Sequence, residues 1–231
     1  YVIFVDHFSK YTWIYPLSHK SDVSRVFSTF QKLVENYFQS TIKTVYSDSG
    51  GEYQALASHL SACGIQHLKS PPHTPQLVGS AERKHRHIVE TGLTLLHQAS
   101  MPSTFWTAAF QTAVYLINRM PTPVLQYQSP FDILFHKPPN LHKLRVFGCL
   151  CYPWLRPYAS HKLTSRSTPC VFIGYSLEHN AFHCYNLHAH KIFISRHVVF
   201  VESNFPFQTL PYPAIQTTSL SHWGIPSVQS D

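Results

Sequence analysis

Two carboxylates in this 231-residue chain have a type and spacing that could do chemistry together. Asp48 stands in "SDSGGEY" (47–53), directly after the apolar run Ile42–Tyr46, and Glu82 stands 34 positions later in "GSAERKHRH". Hydrolysis or joining of a phosphodiester requires one oxygen to be activated as a nucleophile and another to be stabilised as it leaves, in line across phosphorus. Two divalent ions about 3.5–4 Å apart do both. Mg²⁺ takes hard oxygen ligands from a few carboxylates and leaves its remaining positions to water and substrate phosphates. An acid at a strand end and a second on the first turn of a neighbouring helix would suit such a clamp. Each acid also has a plainer reading. Asp-Ser-Gly-Gly is ordinary turn chemistry, and Glu82 has Arg86 four residues on as an ion-pair partner along one helix face.

The elements that must position these acids are legible from periodicity. Tyr1–Asp6 and Tyr11–Leu17 are β-rich runs around a polar turn and predict a hairpin. Val23, Val26, Phe27, Phe30, Leu33, Val34 and Tyr37 share one helical face, with Ser21 as the expected N-cap. Strand Ile42–Ser47, helix Leu56–Cys63 closed by Gly64, and strand Ile65–Lys69 follow. "SPPHTPQLVGS" (70–80) is too rich in Pro and Gly to be regular. A helix is expected over about 80–99, its core stripe running Ala81, His85, Ile88/Val89, Gly92, Leu95/Leu96, Ala99, and another over Ser103–Met120. Together these predict an α/β core, a mixed sheet with flanking helices whose sheet begins with the hairpin, over residues 1–120. Asp48 should then sit at the carboxyl end of its strand, with Glu82 approaching across the Pro/Gly loop. A connector over 121–143 holds a short helix at Pro130–Phe135. Four expected strands, Arg145–Pro153, Cys170–Tyr175, Ala181–Asn186 and Lys191–Val201, suggest a small all-β barrel over 144–204. Residues 205–231 read as a loose Pro/Ser-rich tail.

Hydrophobic residues make up 44% of the chain and aromatics 14%, a globular composition. The net charge is +7, and it is not spread evenly. Residues 1–81 hold six Lys/Arg against five acids and residues 167–231 two against three, whereas residues 82–166 hold ten against three. A basic block that opens at Glu82 invites a polyanion. Arg83, Lys84 and Arg86 lie in the first turns of the helix, where cations oppose the helix dipole by roughly 0.3–1 kcal/mol each. A helix built for stability alone would place them elsewhere. The five cysteines form no CxxC pair and predict reduced thiols in an intracellular protein, and the seventeen histidines lack the spacing of a zinc site. No run of about 18 apolar residues is present, which excludes an obvious membrane-spanning helix.

Read in order, "FVDHFSKYTWIYPL", "SDSGGEY", "PHTPQLVGSAERKHRHIVE", "FWTAAFQTAVYLINRMPT", "SPFDILFHKPPNLHKLRVFGCLCYP" and "CVFIGYSLEHNAFHCYNLHAHKIFISRHVVF" resemble the integrase of copia-type retrotransposons over about residues 1–205. The resemblance implies a ribonuclease H-like core followed by a barrel similar to Src-homology-3 domains, as part of a Pol polyprotein. It implies an Asp-Asp-Glu triad binding Mg²⁺ or Mn²⁺, with DNA as partner, the nucleus as site of action and a possible homo-oligomer. Carried over by motif, Asp48 is the second acid and Glu82 the third, while Gln76, Arg83, Lys84 and Arg86 would face DNA. The family's first acid lies on a strand preceding "FVD", so Asp6 is not expected to be a ligand. On that reading the core's first strand lies upstream of Tyr1, and the fragment alone is expected to be inactive. Leu77 and Val78 stand where the family usually has Gln and Asn, His197 where it usually has Asp, and the family's His/Cys zinc module is not among these residues. A non-catalytic nucleic-acid-binding remnant, and a structural or protein-interaction module, remain alternatives.

Overall fold

The computed structural model describes residues 1–47, 52–69, 79–156 and 165–209; of 52–55 it describes the backbone alone. These residues divide into two compact units, one comprising 1–5 and 13–87, the other 6–12 and 88–209.

In the first unit, β1 (Val2–Val5) and β2 (Thr12–Tyr15) pair as the predicted hairpin. Its tip, counted in the second unit, is held by Asp6, whose Oδ2 accepts from both the amide and the hydroxyl of Ser9 at 2.7 Å. A 3₁₀ turn over Lys20–Asp22 leads into α1 (Val23–Phe38). Asp22, not the expected Ser21, occupies the N-cap position of α1, because the 3₁₀ turn takes up Ser21. The apolar stripe of α1 packs on the hairpin: Phe30 stacks on Phe4 at 4.4 Å and meets Trp13 edge-on at 5.1 Å. Aromatic pairs of this geometry add to the stabilisation from burial itself. Helix α2 (Glu52–Ala62) seats Leu56 and Leu60 in the core, and Gly64, at φ +69°, ends it as expected. His59 of α2 bonds Gln31 of α1 at 2.9 Å. Strands β3 (Thr44–Ser47) and β4 (Gln66–Lys69) pair in parallel, Ser47 opposite Lys69.

One continuous sheet was expected here, and the described strands form two separate pairs. Joining them requires a strand bonded to a member of each pair, and none does so among the described residues.

Helix α3 (Gly79–Gln98) carries residues of both units, and α4 (Trp106–Arg119) and α5 (Pro130–Phe135) belong to the second. The predicted α3 stripe holds in its second half: Ile88, Gly92, Leu96 and Ala99 are buried. Gly92 is required by close approach, since a Cβ there would lie 2.3 Å from the Phe110 ring of α4. Helix α5 has the predicted bounds, begun by a capping box in which Ser129 and Asp132 satisfy each other's backbone amides.

The remaining strands, β5 (Leu150–Pro153), β6 (Cys170–Ser176), β7 (Ala181–Asn186), β8 (Lys191–Ser195) and β9 (Val198–Val201), form an antiparallel sheet in the order β8-β7-β6-β5-β9, consistent with a Src-homology-3-like barrel but not closed. Two expectations change. Residues 145–149 do not join β5, because Gly148 at φ +80° turns the backbone out of the strand. The run Lys191–Val201 is two strands, broken where Ser195 Oγ donates to the carbonyl of His197 at 2.9 Å. Phe172, Phe182 and four thiols, Cys149, Cys151, Cys170 and Cys184, fill the core. Tyr175 of β6 stacks on Tyr115 of α4 at 3.8 Å, and Arg119 lies over the other side of that column, 3.5 Å from the Tyr115 ring centre. The tail is regular for longer than predicted: Pro206–Thr209 form α6, with Phe207 buried against Phe105.

Candidate acidic site and nucleic-acid interface

Strand β3 delivers the chain to Asp48 with Ser47 buried at its end. The Ser47 hydroxyl bonds His67 Nε2 of β4 at 2.8 Å, a cross-strand tie at the last described residue before the acid. Burial, and then the charge of Lys69, lowers the His67 pKa from the ordinary histidine value. Asp48 itself lies outside the described residues, as do Gln76, Leu77 and Val78.

Glu82 stands in the first turn of α3, exposed. Its negative charge there is favoured by the helix dipole. Of the plainer reading, a solvated Glu at the helix start with Arg86 as its i,i+4 partner, the exposure is observed, while Glu82 and Arg86 form no ion pair with one another. Arg83 and Arg86 are exposed, while Lys84 is half-buried and engaged by other groups. His85, expected in the core stripe, is exposed instead. Its Nε2 bonds the Tyr1 hydroxyl at 2.7 Å and the two rings stack at 5.5 Å. That contact anchors the first turns of α3 to the start of β1, and so sets the rotation at which Glu82, Arg83 and Arg86 are presented.

Neither Ser47–His67 nor Tyr1–His85 was legible in the sequence. Both join residues distant along the chain, and neither histidine has a spacing that marks it. One carboxylate oxygen of Asp6 is committed to the hairpin turn. Among the described residues no group of three or more His, Cys, Asp or Glu could hold a metal ion. Glu82 offers one hard-oxygen donor, exposed and not neutralised by Arg86, which suits Mg²⁺ or Mn²⁺.

Residues 1–75 match the family model for the integrase core domain, and residues 149–213 match that for the retroviral polymerase SH3-like domain. Over 207 residues, 90% of the chain, it is 61% identical to a retrovirus-related Pol polyprotein from transposon RE1 of Arabidopsis thaliana. It is 39% identical over 205 residues, 88% of the chain, to that from transposon TNT 1-94 of Nicotiana tabacum. The aligned part is 14% and 15% of those two polyproteins' lengths. Among solved structures, the catalytic core domain of BIV integrase aligns with 57% of this chain and 82% of its own, at 18% identity and a TM-score of 0.43.

Proposed function

The chain carries an integrase core and a retroviral SH3-like domain and belongs with the Pol polyproteins of copia-like retrotransposons, and from that premise we propose that its core serves the metal-dependent joining of element DNA to host DNA. The observation that carries the reading is Glu82, an exposed acid opening a helix, with exposed Arg83 and Arg86 beside it and no ion pair to Arg86. Glu82 and Asp48 would hold Mg²⁺ or Mn²⁺. Bound metal supplies activation of the attacking oxygen and stabilisation of the leaving one.

The chain's own residues bind and orient the substrate. Arg83 and Arg86 donate N–H groups to phosphate oxygens, fixing the position of the backbone without reading its sequence. By the resemblance Lys84 and Gln76 would also contact DNA, Gln76 lying outside the described residues. Tyr1 holds His85, and through it the turn that presents these side chains. Host DNA places the site of action in the nucleus.

The test is a Mn²⁺ titration of the whole chain by calorimetry. Glu82→Gln should weaken binding about tenfold or more, and unchanged affinity ends the reading of Glu82 as a ligand. A strand-transfer assay with Mn²⁺, beside Asp48→Ala, then asks for activity that disappears in the control. A second reading is a nucleic-acid-binding remnant without chemistry. It predicts salt-dependent DNA binding with no difference between Glu82→Gln and the parent chain towards Mn²⁺.

A further inference from the structure

Four of the ten buried residues that cluster in the core of the five-stranded sheet are cysteines, each no more than 1% exposed. A free thiol packs as a small apolar group, and that accounts for any one of them. It does not account for two of them meeting. Cys151 stands on β5 and Cys184 on β7, and β6 runs between those strands. In a flat sheet, strands two places apart are separated by about 9–10 Å. In register, Cys151 faces Cys170 on β6, while Cys184 faces Phe172, two residues further along. The Cys151 and Cys184 thiols nevertheless hydrogen-bond to one another. The curl of the sheet has therefore brought side chains of two non-neighbouring strands together at its centre. Cys170 is engaged elsewhere, by the side chain of Asn186.

Two sulfurs side by side in an apolar core are a ligand set of a particular kind. Thiolates are soft donors and select ions such as Cu(I), whereas Mg²⁺, Ca²⁺ and Mn²⁺ take oxygen. Phe172, Phe182 and Phe193, which share this core, supply no oxygen to a harder ion. Structural zinc completes a tetrahedron of four ligands, and no group of three or more His, Cys, Asp or Glu among the described residues could hold an ion. Cu(I), with a filled d shell, is satisfied by two sulfurs in line.

We propose that Cys151 and Cys184 form a buried two-coordinate site for a soft monovalent metal ion, Cu(I), held between their sulfurs inside the folded sheet. Each sulfur binds as the thiolate, so both S–H bonds break as the two S–Cu bonds form, two protons leave for solvent, and no electron is transferred. Neither thiol reaches solvent, so the ion enters by local opening of the sheet and loading is slow. The site uses neither Glu82 nor the basic turns of α3, and it does not depend on the reading given to them.

The test is an anaerobic titration of the full chain carrying Cys63→Ser, which removes the exposed thiol, with Cu(I) in competition with the chromophoric chelator bicinchoninate. At equilibrium the chain should withdraw one ion from the chelator. Cys151→Ala and Cys184→Ala should each weaken uptake about a hundredfold or more, since loss of a ligand costs at least what loss of a supporting group does. Cys149→Ala and Cys170→Ala should retain it. Cys184→Val, which refills the space with an apolar side chain, serves if the alanine variant fails to fold, and it too should fail to bind. Cu(I) should also raise the urea midpoint of the Cys63→Ser chain, because a ligand of the folded state alone stabilises that state. Absence of stoichiometric uptake overturns the proposal, as do equal losses in the Cys149 or Cys170 variants. So does a lowered urea midpoint, which would mean capture of the ion by thiols of the unfolded chain.

Discussion

His183, in the middle of β7, shows what burial does to a single titratable ring. Its Nδ1 is closed off from solvent although the residue keeps partial exposure. Desolvation, followed by the charge of His179, lowers its pKa to about 4. The unfolded chain takes up this proton near pH 6.5 and the folded chain only near 4, so the unfolded state binds more protons between those values and stability falls as pH falls. Full stability from this group is present above about pH 6.5. The loss by pH 4 is at most about 3 kcal/mol. Urea unfolding of the parent chain and His183→Gln at pH 7 and pH 4.5 checks this, with the pH dependence expected to be shallower in the variant. The thiols give a second prediction at the same scale. Burial pushes Cys149 and Cys170 up to about 12, and a hydrogen bond with Cys184, followed by burial, raises Cys151, whereas Cys63 is exposed. Since the thiolate is the reactive species, Ellman's reagent should titrate about one thiol rapidly in the native chain and all five in denaturant. Rapid reaction of two or more in the native chain would contradict the buried-thiol core.

Among the elements, the approach to β5 depends on one glycine. Gly148 has φ +80°, and a Cβ there would stand 2.2 Å from the Cβ of Ala99, at the end of α3. Its amide donates to Phe172 of β6 at 2.8 Å, and the Phe172 amide returns a bond to Cys149 at 2.9 Å. Gly148→Ala therefore meets both backbone strain and a clash with a side chain too short to move aside. A loss of about 2 kcal/mol or more is expected, read as a lower urea midpoint. A change below about 0.5 kcal/mol would show that the backbone there relaxes freely. Gly64, also at positive φ, has nothing within 4 Å of a Cβ, so its substitution tests conformation alone and should cost less.

For the whole molecule the governing quantity is the position of the charge. The net +7 equals the excess over residues 82–166, and each phosphate neutralised releases counterions, so the logarithm of duplex affinity should fall steeply and linearly with the logarithm of salt. Replacing Arg86 should reduce that slope by about one unit, uniformly across DNA sequences; a flat salt response would contradict a phosphate-binding role for the block. Much of this was legible in the sequence because it is local. The second half of the α3 stripe, the turn at Gly64, the bounds of α5 and the charge block depend on neighbours within a few positions, where spacing and side-chain type are decisive. Glu82 at a helix start was legible for the same reason. What the tertiary structure alone decided depends on residues far apart in the chain: Tyr1 meeting His85 and Ser47 meeting His67. Those outcomes follow from which groups a fold brings within hydrogen-bond or van der Waals reach, and periodicity along a chain carries no record of that.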